Sequence, residues 1–122
     1  MKRFLLTFLV LVSFPFFRAT QVLAHAPPIN CEPEASAILE RAPEWVRIHF
    51  SERIEPKASS IFVFGPDGSR IDEGNAAMDP QNPHFYSISL KEGKPGTCTV
   101  SWQVVSADDG HLTKGAFIFL VG

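Results

Sequence analysis

Positive charge is scarce in this chain once its N-terminal segment is set aside. Eleven lysines and arginines stand against thirteen acidic residues in 122 positions, and three of the cations (Lys2, Arg3 and Arg18) lie in the first 24 residues, which contain no acid. The remainder therefore has eight cations and thirteen acids. Because proteins bind nucleic acids mainly by neutralising phosphates with lysine and arginine, we expect no nucleic-acid partner.

Catalytic motifs are also missing. The sequence contains neither a glycine-rich phosphate loop nor a G-x-S-x-G nucleophile motif. Ser106 lies near His111, but no third residue is evident to complete a catalytic triad. No apolar run after residue 25 is long enough to span a bilayer. We therefore predict one soluble, monomeric domain that is not an enzyme.

The first 24 residues have the features of a secretory signal peptide. Lys2 and Arg3 precede a mostly apolar stretch at residues 4–17, and Val22 and Ala24 occupy the −3 and −1 positions of a cleavage site. We predict that residues 1–24 are removed, that His25 becomes the first residue, and that the mature domain, residues 25–122, is periplasmic. Cleavage at a neighbouring bond and retention as an N-terminal anchor are the alternatives.

Hydrophobic alternation with a period of two predicts strands through most of the mature chain. The predicted strands cover residues 29–31, 45–50, 61–64, 85–90, 97–106 and 116–121. Residues 35–42 could form only a helical turn, and residues 72–83 are predicted to be a solvent-exposed loop. Short strands separated by turn residues indicate an all-β, antiparallel β-sandwich.

The mature chain has two cysteines, Cys31 and Cys98. In an oxidising compartment we expect them to form a disulfide. The alternative is a thiolate metal site, for which the absence of C-x-x-C spacing is unfavourable.

His25 would have particular chemistry as an N-terminal residue. Its α-amine and its imidazole Nδ1 could chelate one ion together, and nitrogen ligands in a square plane suit Cu(II). Both groups have reference pKa values near neutrality, so that a metal would displace few protons. The alternative is an exposed, disordered terminus without a ligand.

A second candidate site follows the strand at residues 97–106. Asp109 and His111 lie two positions apart and would share one face of an extended chain, while Gly110 permits a turn between them. A turn with a solvated histidine is the alternative. Glu52 could orient a metal ligand or could be a solvated carboxylate. His49 and His84 are predicted to be structural or surface residues.

The runs I-H-F-S-E at residues 48–52 and V-S-W-Q-V-V-S-A-D-D-G-H at residues 100–111 resemble the CopC-type periplasmic copper-binding proteins of copper resistance. That resemblance extends over nearly all of the mature chain. It implies a small Greek-key, immunoglobulin-like β-sandwich that binds one Cu(II) ion through His25, Asp109 and His111, with Glu52 matching a nearby glutamate. This choice of aspartate comes from counting the spacing of the family's motif back from His111. Counting the same spacing forward from Ser106 would select Asp108 in place of Asp109.

The resemblance also implies a function. We expect a copper-binding protein that sequesters Cu(II) or passes it to a separate inner-membrane copper transporter. An N-terminal-histidine copper monooxygenase-like enzyme and an interaction sandwich without a metal are the alternatives. Because Met78 is the only methionine of the mature chain, we predict no thioether Cu(I) site.

Overall fold

The computed structural model describes residues 28–122, so the predicted signal peptide and His25 lie outside the described residues. This part of the chain forms eight strands and a single turn of 3-10 helix at Pro56–Ala58. The strands are β1 (Pro28–Glu32), β2 (Ile38–Leu39), β3 (Trp45–Phe50), β4 (Ser60–Phe64), β5 (Ala77–Asp79), β6 (Asn82–Ser89), β7 (Gly96–Val105) and β8 (Leu112–Val121). None of the described residues belongs to a helix long and apolar enough to cross a membrane.

The strands form two four-stranded sheets, in the orders β1-β3-β6-β5 and β2-β8-β7-β4. All pairs are antiparallel except β2 and β8, which are parallel. Inward-facing residues alternate along β3, β4, β6 and β7, so the two sheets bury a common apolar core. The predicted antiparallel, immunoglobulin-like β-sandwich is confirmed.

Two local predictions were wrong. Residues 35–42 do not form a helical turn, because Ile38–Leu39 joins the edge of the second sheet as β2 and pairs with β8. Residues 72–83 are not simply an exposed loop. Ala77–Asp79 pairs with β6 as β5, and Asp72 is only 3% exposed because backbone N–H groups and an arginine surround its carboxylate.

The predicted disulfide is not formed: Cys31 and Cys98 are free thiols. Cys31 lies on β1, an edge strand of the first sheet, whereas Cys98 lies on β7, an interior strand of the second sheet. Their strands therefore do not neighbour each other. Burial raises the pKa of both thiols, which disfavours the thiolate that metal binding or disulfide exchange requires.

Gly115 gives the core tryptophan its space. It pairs with Trp102 across β7 and β8, and Trp102 packs edge-on against Phe50 at 5.3 Å between ring centroids. A Cβ atom at position 115 would lie 2.5 Å from Cζ2 of Trp102, closer than atoms can approach. The indole, only 6% exposed, has little room to move.

We therefore expect Gly115→Ala to lower the free energy of unfolding by about 1–3 kcal/mol, as overpacked core substitutions do. Urea denaturation of the purified protein would measure the loss. Gly122→Ala is a suitable control, because its Cβ would make only an ordinary contact, 3.5 Å from the carbonyl oxygen of Leu39. Equal stability of both variants would contradict this account of Trp102 packing.

Candidate metal centre

Four segments meet at one end of the sandwich, which we call the turn end. They are the start of β1, residues 51–55 after β3, the start of β6, and the turn at residues 106–111 between β7 and β8. Pro28 pairs with Phe50, and Ile54 forms an isolated bridge with Ser106. The amide N–H of Ile54 also donates to the carbonyl oxygen of Pro83 at 3.0 Å. These contacts fix the 51–55 segment between β6 and the β7–β8 turn.

The β7–β8 turn contains the predicted Asp109 and His111 and is held by its own hydrogen bonds. The Ser106 N–H donates to the His111 carbonyl, and the Gly110 N–H donates to the Ser106 carbonyl, each at 2.9 Å. Gly110 has a φ of 72°, a left-handed conformation that glycine adopts without steric cost. The Asp109 carboxylate accepts the backbone N–H of His111 at 2.9 Å. The structure thus brings Asp109 next to His111 in one tight turn.

Asp108 is engaged by an arginine that the sequence analysis did not identify. Nε of Arg53 donates to Oδ1 of Asp108 at 3.1 Å, and Nη2 donates to the same oxygen. The N–H of Ala107 donates to the Arg53 carbonyl at 2.9 Å. No local pattern links Arg53 to Asp108, since the pair forms only when the 51–55 segment meets the turn.

Glu52 lies in the 51–55 segment and has an unusual environment. Its Oε2 atom is buried and has no hydrogen-bond partner in the described part of the chain. Burying a carboxylate oxygen without a partner is costly, and such an atom in a native fold points to an ion or a water molecule at that position. At least one of the two carboxylate oxygens of Glu52 is thus shielded from solvent.

The structure describes two of the three predicted metal ligands, Asp109 and His111, whereas His25 lies outside the described residues. Asp109 and His111 lie at the turn end, but within residues 28–122 there is no group of three or more histidine, cysteine, aspartate or glutamate side chains that could hold a metal. The predicted set therefore depends on His25. His49 and His84, predicted as unrelated surface or structural residues, are brought together with 6.4 Å between their ring centroids.

Comparison with known proteins identifies similar chains. A family model described as the CopC domain matches residues 29–122. Protein YobA of Escherichia coli K12 is 38% identical over 101 residues, which cover 82% of this chain and 81% of YobA. Copper transport protein CutJ of Bacillus subtilis is 30% identical over 115 residues, which cover 93% of this chain but only 21% of CutJ.

Two solved structures have a similar fold. CopC from Methylosinus trichosporium OB3b has a TM-score of 0.73 and 28% sequence identity, covering 80% of this chain and 93% of that chain. PcoC from Escherichia coli, a methionine-rich copper resistance protein, has a TM-score of 0.67 and 26% identity, covering 81% of this chain and all of PcoC.

Proposed function

The chain belongs to the CopC domain family, and from that premise we propose that it is a periplasmic copper-binding protein that holds one Cu(II) ion. The names of three similar proteins support this proposal, because two of them are called copper resistance or copper transport proteins and the third is CopC itself. A binding protein, not an enzyme, agrees with the family and with the absence of catalytic motifs in the sequence.

We assign His25, Asp109 and His111 as the ligands, with Glu52 beside them. The observation that carries this assignment is the buried Oε2 of Glu52, which has no hydrogen-bond partner among the described residues and belongs to the 51–55 segment that contacts the Asp109–His111 turn. Pro28 lies directly opposite Phe50, so His25 is only three residues from the position where β1 reaches the segment containing Glu52. A cation there would compensate the charge of the buried carboxylate.

The two aspartates offer a matched test of the assignment. We expect Asp109→Asn to weaken Cu(II) binding by about tenfold or more, because it removes an anionic ligand. Asp108→Asn should change the affinity less than about fivefold, since it removes only an exposed ion pair with Arg53. Competition titration of the mature protein with a Cu(II) chelator would give both affinities.

Electron paramagnetic resonance of the Cu(II)-loaded proteins supplies the second readout. The wild type and Asp108→Asn should give the same nitrogen-rich tetragonal spectrum, and Asp109→Asn a changed one. A changed spectrum and weak binding in Asp108→Asn alone would mean that Asp108 is the ligand. Absence of stoichiometric Cu(II) binding by the wild type would refute the proposed function.

We further propose that the bound ion is either sequestered or passed to a copper importer in the inner membrane. The similarity to a segment of CutJ supports delivery, because CutJ is much longer than the matching segment and is named a copper transport protein. Transfer of Cu(II) from the loaded protein to a purified importer, followed by stopped-flow spectroscopy, would separate delivery from sequestration.

A further inference from the structure

A cleft of about 290 Å³ opens on the outer face of the first sheet. It is lined by side chains of β3, of β6 and of the segment before β5, among them Trp45, Arg47, Asn75, Ser87 and Ser89. Trp45 begins β3, whereas the turn end follows Phe50 at the opposite end of that strand, about 17 Å further along it. The cleft is therefore distinct from the proposed Cu(II) site.

The guanidinium of Arg47 contacts two aromatic rings on this face. Its central carbon is 4.8 Å from the ring centroid of Trp45 and 5.5 Å from that of Phe85. Cation–π contacts of this kind position a guanidinium without using its N–H groups. Within residues 28–122, Arg47 belongs to neither of the two ion pairs, and its side chain donates no hydrogen bond. Its five N–H donors are thus held in place and unused by the described protein groups.

One acid opposes Arg47 in the strand register. Glu32 on β1 pairs with Arg47 on β3. Its side chain is exposed, and its carboxylate forms no ion pair with Arg47 in the described part of the chain. Because exposed ion pairs contribute little, Glu32 would compete only weakly for the guanidinium with a ligand that also contacts the cleft walls.

Two hydroxyls and an amide add uncharged donors to the cleft. Ser87 pairs directly with Arg47 across β3 and β6. Oδ1 of Asn75 accepts the backbone N–H of Ser89 at 3.0 Å, and its Nδ2 donates to the Ser89 hydroxyl at 3.1 Å. Because that hydroxyl accepts, its own hydrogen can be donated to a ligand. None of the described residues that line the cleft is acidic, so the cleft presents donors to an anion and no competing carboxylate.

The charge and shape of the cleft select the class of anion. The described lining residues include one cation, Arg47, which suits a monoanion better than a phosphate dianion. The planar N–H groups of a guanidinium also match the two oxygens of a carboxylate. Trp45 is 38% exposed and offers an apolar ring surface next to Arg47. We propose that the cleft binds a monocarboxylate ligand, with its carboxylate on Arg47 and an apolar or aromatic body against Trp45.

Nuclear magnetic resonance titration of the mature protein with benzoate, which has both a carboxylate and a ring, tests the proposal. We expect saturable shifts of the Trp45 indole N–H and of the Arg47 Nε–H. Acetate lacks the ring and inorganic phosphate lacks the planar carboxylate, so each should bind at least about fivefold more weakly. Tighter binding of phosphate than of benzoate would overturn the carboxylate assignment. The titration needs no copper, so its outcome is independent of the proposed Cu(II) site.

A matched pair of arginine variants locates the binding. Arg47→Lys keeps the positive charge but loses the planar fork and should weaken benzoate binding by about tenfold or more. Arg41→Lys is the control, because Arg41 is an exposed arginine that does not line this cleft, and its substitution should leave the affinity unchanged. Equal benzoate affinity in Arg47→Lys and the wild type would overturn the proposal. In the wild type alone, shifts that scatter over other lysines and arginines without saturating at Trp45 and Arg47 would overturn it as well.

Discussion

A single residue added in front of His25 is expected to weaken Cu(II) binding by about a hundredfold or more. In the proposed site the α-amine and the imidazole of His25 bind the same ion. An additional residue converts that amine into a peptide nitrogen, so the chelate is lost although every side chain remains. Losing one of two tethered binding groups typically costs affinity of this order.

The experiment compares two versions of the mature protein, one beginning at His25 and one with a glycine before it. Chelator competition gives the Cu(II) affinity, and electron paramagnetic resonance reports how many nitrogens surround the ion. The extended protein should have the free energy of unfolding of the natural one, because the residues of the apolar core, from Val46 to Val121, are unchanged. A loss of affinity would then originate at the site.

Equal affinity and identical spectra for the two versions would exclude the N-terminal amine as a ligand. Binding through Asp109, His111 and Glu52 alone would then have to be considered, with His25 as an ordinary terminal residue. If neither version bound Cu(II), an interaction sandwich without a metal would be the better interpretation of the fold.

Much of the fold could be predicted from local patterns because most strands are amphipathic. β7 alternates buried and exposed residues along most of its length, and its predicted range, 97–106, differs from the observed Gly96–Val105 by one residue at each end. β3 agrees with its predicted range of 45–50. Such strands have one face in the core, so apolar and polar residues alternate along the sequence with a period of two.

The strands that the sequence analysis missed are short and lie at sheet edges. β2 has two residues and β5 has three, too few for an alternating pattern to be recognised. Their conformation comes from pairing with β8 and β6, which is tertiary information. A similar limit applies at the turn end. The Asp109–His111 turn was predictable because its residues are close in sequence, whereas the Arg53–Asp108 and His49–His84 contacts join distant segments.

Asp72 shows how much one buried carboxylate can contribute to stability. Its side chain is fully buried, and Arg70 donates to both carboxylate oxygens at 2.6 Å. The backbone N–H of Val63 on β4 donates to Oδ2 at 2.8 Å, and that of Gly74 donates to Oδ1 at 3.0 Å. Asp72 itself bridges to Leu90, which follows β6. The carboxylate thus joins the segment at residues 70–74 to β4, the edge strand of the second sheet, and the backbone of the same residue pairs with the residue that follows β6.

We expect Asp72→Asn to lower the free energy of unfolding by about 2–4 kcal/mol at neutral pH. The amide has nearly the same shape, but whichever way it is oriented, its NH2 group faces two donors and leaves them without an acceptor. Urea denaturation would measure the loss. Asp67→Asn is the matched control, because Asp67 is an exposed aspartate in the preceding turn that accepts hydrogen bonds from the N–H and hydroxyl of Ser69, and its substitution should cost far less.

The pH dependence of stability tests whether the ionised carboxylate of Asp72 is responsible for its contribution. Burial alone would raise the pKa of this carboxyl, but hydrogen bonds from Arg70, Val63 and Gly74 outweigh burial and lower the pKa. Because the folded-state pKa is below the unfolded value of about 3.9, the contribution of Asp72 is present above that value and is lost as the pH falls through and below it. The stability difference between wild type and Asp72→Asn should therefore shrink on acidification below about pH 4. A difference that stayed constant from pH 6 to about pH 2 would contradict the view that the ionised form of Asp72 stabilises the sandwich.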